Sequence, residues 1–172
     1  MPTLRKEDPL VARPKIPSQP VHCPDLFGHD HSFPADSVRF RPAAYGLLYE
    51  DQNILLSLSR FSEKWDLPGG GVESWEKLED GLVREFFEET GVSVTVQSYV
   101  AMQENFISFF GHPYHSLRFY YVVQPPSASV VFTPESHELL DLRWWPVDSL
   151  PEERMNSYEV GIIKAARSNR AE

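Results

Sequence analysis

From Val38 onward, blocks of apolar residues alternate with short polar or turn-forming breaks. Val38 to Tyr49 and Asn53 to Arg60 read as two strands either side of a turn at Glu50-Asp51-Gln52. Leu55, Leu56 and Leu58 alternate only in part, the pattern of a strand covered on both faces. A third extended piece runs from Trp65 into Pro68-Gly69-Gly70-Gly71. A helix is expected next, from Ser74 or Trp75 to Thr90, with Gly91 as its C-terminal stop. Ser93 to Tyr99 alternates, and Ala101 to Phe110 extends it or pairs with it. Ser116 to Val123 reads as a strand ended by Pro125 and Pro126, with a short strand candidate at Ser127 to Phe132 and another strand at Leu142 to Val147. A last helix from about Ser157 to Arg167 sets Val160, Ile163 and Ala166 near one face. Helices alternating with strands, together with hairpin-like turns, predict an α/β fold with a mixed sheet.

The helix ending at Thr90 has two distinct faces. At about 100° per residue, Leu82, Val83, Phe86 and Phe87 share one arc, and Glu85, Glu88 and Glu89 share its neighbour. One face can bury against a sheet while the other presents oxygens to a cleft. Like charges at i, i+3 and i+4 destabilise a bare helix by roughly 0.2 to 0.5 kcal/mol per pair, so a cation is expected among them. Clustered carboxylate oxygens favour Mg²⁺ or a similar hard ion. Gly81 projects into the middle of the acidic arc. A mid-helix glycine costs about 1 kcal/mol relative to alanine. We therefore expect a larger side chain there to obstruct either the metal cluster or the loop above it.

Composition narrows the function classes. The chain has 172 residues, a single cysteine and a net charge of −9. That charge argues against sequence-independent binding of nucleic acid, which needs a basic face. No apolar run approaches the length of a membrane span, and the first residues lack the apolar core of a secretion signal. One cysteine allows no intrachain disulfide, so a cytoplasmic location is the default expectation. Residues 1–36 hold seven of the fifteen prolines and read as an extended arm, leaving residues 37–172 as one domain. Within the arm, His22, Cys23, His29 and His31 are zinc-ligand types. Their spacing fits no common structural site, and an ordinary loop is the alternative.

Gly70 is followed after five residues by Glu76, and after seven more by Arg84-Glu85. An apolar residue, any residue, Glu88-Glu89, any residue, Gly91 and Val92 complete the run. This resembles the Nudix box, G-x5-E-x7-R-E-U-x-E-E-x-G-U with U apolar, at every specified position. The preceding Trp65-Asp66-Leu67-Pro68-Gly69-Gly70 resembles the family's lead-in. Trp75 and Phe86 are less usual there, without removing a functional group. The resemblance implies an α/β/α sandwich with a central mixed sheet and the box helix packed on it. It also implies Mg²⁺- or Mn²⁺-dependent hydrolysis of a nucleoside diphosphate linked to another moiety, by attack of water on phosphorus.

Carried over residue by residue, the resemblance makes Glu85, Glu88 and Glu89 metal ligands, with the Gly69 carbonyl as a further one. Arg84 is expected to orient the glutamates, a plain pair with Glu88 being the alternative. Gly70, Glu76 and Gly91 are expected to shape the box. The general base is open among Glu138, Glu135 and Glu85. Phe106, Phe109, Phe110 and Tyr114 follow the helix at a distance where relatives place substrate contacts, and can stack on a base or serve a core or a homodimer. His137 and His115 are candidates for phosphate contact. A nucleoside triphosphate-cleansing pyrophosphatase and a non-cutting nucleotide sensor are the other readings of the chain. The partner expected in each case is a small nucleotide or diphosphate.

Overall fold

The computed structural model describes residues 15–126, 132 and 137–170, with no side-chain placement for 169 and 170. Its strands are β1 (Val21–Pro24), β2 (Asp30–Phe33), β3 (Arg39–Glu50), β4 (Asn53–Ser59), β5 (Trp65–Asp66) and β6 (Gly69–Gly71). Helix α1 (Leu78–Thr90) follows, then β7 (Thr95–Phe109), β8 (His112–Gln124), β9 (Leu139–Pro146) and helix α2 (Ser157–Arg170).

β3 is the hub of a mixed sheet. Along one edge it runs parallel to β8, from Arg39 opposite Tyr114 to Leu48 opposite Val123. Along the other it pairs antiparallel with β6 through Ala43–Tyr45 and with β4 through Tyr49 and Glu50. β7 pairs with β8, while β5 and β9 both pair with β4, all antiparallel.

The period-2 alternation of a strand sorts the buried residues into two layers. Ala43, Tyr45 and Leu47 of β3, with Ile54, Leu56 and Tyr120, pack against Val160, Ile163 and Ala166 of α2. Ala44, Leu48, Leu55, Tyr121 and Val123 face the other way, onto Leu82 and Phe86 of α1. The expected sandwich is present, and the partial alternation of β4 reflects burial on both faces. Gly46 lets α1 come close: a Cβ there would lie 2.8 Å from the Phe86 ring.

Several boundaries differ from the sequence reading: β8 starts at His112 rather than Ser116 and β9 at Leu139 rather than Leu142. α1 begins at Leu78 because Glu76 is held in a turn, its N–H donating to the Glu73 carbonyl at 3.2 Å while its carboxylate accepts from the Glu73 N–H at 2.8 Å. β7 is one strand with irregularities at Val96/Ser98 and Tyr99/Ala101. Bulges of that kind add an unpaired residue and reset the alternation, which is why the sequence left extension and pairing both open; extension is what the structure has. The arm contains a hairpin, β1 with β2, in which Cys23 stands opposite His31. Residues 127–131 of the expected short strand, and Glu135, lie outside the described residues; Phe132 packs on Trp144.

Candidate active site

α1 ends where the glycine strand begins to bend over it. Gly91 caps the helix in the left-handed region at φ 73° and donates its N–H to the Phe87 carbonyl at 2.7 Å. Phe86 and Leu82 anchor the buried face, so the next face, carrying Glu85 and Glu89, is aimed at β6. A Cβ on Gly70 would fall 2.6 Å from Glu85 Oε2, so the backbone of β6 passes directly over that carboxylate. Gly69 has φ 140°, a conformation side chains rarely adopt, and its N–H donates to Glu89 Oε2 at 3.1 Å.

Arg84 gathers the box. Its Nε and Nη2 form a fork on Glu76 at 3.1 and 2.6 Å, and Nη2 also reaches the Gly71 carbonyl at 3.1 Å. Nη1 donates to Glu85 at 2.8 Å and to Glu88 at 3.4 Å. This is more than an i,i+4 pair, since one guanidinium joins loop, glycine strand and helix. The planar fork suits that task in a way an ammonium does not. Glu76 is held below its ordinary value, chiefly by the Arg84 hydrogen bonds. The space above Gly81 belongs to the loop: a Cβ there would meet Glu76 Oε1 at 2.9 Å and Val72 Cγ2 at 3.0 Å.

Gly69, Gly70, Glu85, Glu88, Glu89, Phe109, Tyr114, His137 and Glu138 all line one cavity of about 1000 Å³. Glu85 is raised, chiefly by burial against the opposing pull of Arg84. Glu89 is pushed up to about 8, chiefly by burial, with the charges of Asp66, Glu85 and Glu138 adding to the effect. No cation among the described residues forms an ion pair with Glu89 to offset it. Among the described residues no three His, Cys, Asp or Glu side chains form a closed group fit for an ion; Arg84 holds Glu85 and Glu88. The donor set nevertheless fits a hard divalent cation in kind: all oxygen, rich in carboxylate and short of positive charge around Glu89.

Other sequence candidates fall elsewhere. His115 bonds Glu104 at 2.6 Å and stacks on Phe106 outside the cavity lining. In the hairpin, His22 is paired with Asp30, while His29 and His31 both reach Asp25. Cys23 is fully buried there, while the three histidines are exposed. Among the described residues no helix is long and apolar enough to cross a membrane.

The sequence reading missed Arg41, Tyr45, Phe61, Asp66 and Arg118, which also line the cavity. Arg118 Nη2 donates to Asp66 at 3.0 Å and to the fully buried Glu159 of α2 at 2.5 Å, with its guanidinium 4.1 Å from the Tyr45 ring centre. The available signal was a lone cation inside the otherwise apolar strand SLRFYYVV.

A family model described as the NUDIX domain matches residues 39–165. A 43-residue stretch is 46% identical to mouse (Mus musculus) diphosphoinositol polyphosphate phosphohydrolase 3-alpha, covering 25% of this chain and 26% of that protein. Among solved structures, the MutT protein from Methanosarcina mazei Go1 superposes with a TM-score of 0.63 at 23% identity, covering 77% of this chain and 96% of its own. A NUDIX-family hydrolase from Clostridium perfringens gives a TM-score of 0.61 at 18% identity over 73% and 94% of the two chains. With the box residues gathered at one cavity and the family model spanning most of the sheet and both helices, the chain belongs to the Nudix hydrolase family.

Proposed function

We propose that this chain is a pyrophosphohydrolase dependent on Mg²⁺ or Mn²⁺ that cleaves a nucleoside diphosphate linked to another moiety. The observation that carries this reading is Glu89, a partly buried carboxyl in the cavity beside other acids and bonded to the glycine strand. Glu85, Glu88, Glu89 and the Gly69 carbonyl would hold the ion. When bound, such an ion offsets phosphate charge and acidifies a water. The chain itself supplies the rest. Arg84 fixes Glu85 against the loop, and β6 lays bare backbone beside the carboxylates. Glu138 shares the cavity and lies close enough for its charge to raise Glu89. It is our first choice to take the proton from the attacking water, with Glu85 second.

The walls favour a nucleoside over a highly phosphorylated sugar alcohol such as the substrate named for the mouse relative. Six acids line the cavity (Asp66, Glu73, Glu85, Glu88, Glu89 and Glu138) against two arginines, Arg41 and Arg118. A ligand with many phosphates needs more cations than that. Phe61, Phe109, Tyr45 and Tyr114 instead offer aromatic surface on which a base can stack. The test is a phosphate-release screen with Mg²⁺ or Mn²⁺ across nucleoside triphosphates, ADP-ribose, dinucleotides, nucleotide sugars, coenzyme A and a diphosphoinositol polyphosphate. Metal-dependent turnover of a nucleoside diphosphate compound, lost in Glu89→Gln, is expected. Tight binding without turnover would replace this reading with a sensor.

A further inference from the structure

The cavity holds two guanidiniums with opposite circumstances. Arg118 is bound between Asp66 and Glu159, so its charge is matched. Arg41 has no hydrogen-bonded or ion-paired side chain among the described residues, yet lines the same cavity. Its position is set by packing. The guanidinium lies 5.9 Å from the Phe109 ring centre, within range of a cation–π attraction. On its other side a Cβ at Gly71 would come within 3.1 Å of Nη2. Gly71 thus leaves room for Arg41 while giving its carbonyl to Arg84. The ring beneath Arg41 belongs to an aromatic group: Phe109 lies edge-on to Phe61 at 6.4 Å and against Phe110 at 4.4 Å.

We propose that Arg41 seats the substrate phosphate on the nucleoside side of the scissile bond, with the base against the Phe109–Phe61 wall. This rests on the reading of the cavity as a pyrophosphohydrolase site. An unpaired guanidinium offers its donors to an anion without first breaking an ion pair. Arg118 can do so only by leaving two carboxylates unmatched. Arg41 and the box acids line the same cavity beside β6, with Gly71 touching Arg41 on one hand and giving its carbonyl to Arg84 on the other, so adjacent phosphates can reach Arg41 and the carboxylates together. The remaining phosphate of a diphosphate then faces the acids and whatever ion they hold.

The probes are AMP, which has no anhydride to cleave, and adenosine, titrated calorimetrically into wild type, Arg41→Ala and Arg41→Lys with Mg²⁺ present. Wild type should prefer AMP to adenosine. Arg41→Ala should bind AMP roughly ten- to a hundredfold more weakly, the scale of a lost charged hydrogen bond, and adenosine as wild type does. Arg41→Lys should fall between. Unchanged AMP affinity in Arg41→Ala, equal losses for AMP and adenosine, or no preference for AMP in wild type would each overturn the proposal. Mn²⁺ titration separates the two readings. Arg41→Ala should keep wild-type Mn²⁺ affinity, whereas unchanged Mn²⁺ affinity in Glu89→Gln would remove the metal reading itself.

Discussion

Glu89 of the helix accepts a 3.1 Å hydrogen bond from the backbone N–H of Gly69, twenty residues earlier. That single bond does not compensate for burial, and the carboxyl is pushed from an ordinary value near 4.5 to about 8. The folded state therefore holds a proton across that window that the unfolded chain has already released. Stability of the metal-free protein should fall as pH rises from about 5 to 8. Thermal melts at pH 5 to 9 in EDTA should show the decline, and saturating Mg²⁺ should remove most of it. Glu89→Gln should flatten the EDTA series; an unaltered slope in that variant would assign the effect to another group.

Arg84 is the second test. Arg84→Lys keeps the charge but cannot hold Glu76, Glu85 and the Gly71 carbonyl together. Turnover should drop roughly ten- to a hundredfold, the scale seen when groups orienting a metal's ligands are changed. The melting temperature should fall by only a few degrees, since the side chain is a third exposed. Equal kinetics in the two proteins would reduce Arg84 to a surface ion pair.

Gly46 makes a prediction about packing rather than charge. Gly46→Ala puts a methyl 2.8 Å from the Phe86 ring, and overpacking of that kind costs about 1 to 3 kcal/mol. Denaturant unfolding should show the loss. The pair Gly46→Ala with Phe86→Leu should recover part of it, giving a measurable coupling.

Glu159 tests the buried bridge to α2. Burial raises its carboxyl against the opposing pull of Arg118, and glutamine keeps an oxygen that can accept from Arg118 and Tyr120. Oε1 accepts from Arg118 and Tyr120, while Oε2 has no partner among the described residues. Glu159→Gln should cost about 1 kcal/mol or less. Glu159→Ala, which strips the acceptor from buried Arg118, should cost about 3 kcal/mol. Urea unfolding of both variants decides the order.

Cys23 reports on the hairpin. It is fully buried, and burial, with the charge of Asp30 second, raises its thiol. Both effects slow alkylation. Native protein should react with a thiol reagent far more slowly than denatured protein, and the native rate should measure opening of the hairpin.

These residues also mark how far the sequence could be read. α1 was legible because Phe86 and Glu89 fall on faces that the helical period separates, and the box spacing named the acids. Arg41 was not legible, because its meaning depends on lacking a partner, and partners are set by β3 lying against β8 and near β7. Arg118 and Glu159 are 41 residues apart and carry no shared local pattern. Whether Ala101 to Phe110 extended Ser93 to Tyr99 or paired with it stayed open in the sequence, because the bulges of β7 shift alternation without any glycine or proline to announce them. The turn at Glu76 delayed α1 through side-chain bonds to the backbone, which helix periodicity does not register.

β3 meets β6 and β4 along the same edge, through Ala43–Tyr45 and then Tyr49–Glu50. The box acids descend from the first branch, within residues 69–89, whereas Arg41, Phe61, Phe109 and Arg118 come from other strands and turns. Descendants of such a chain could thus exchange one ligand for another by altering the walls alone. The segment that cuts would pass between them as an inherited cassette, under separate selection from the segment that chooses.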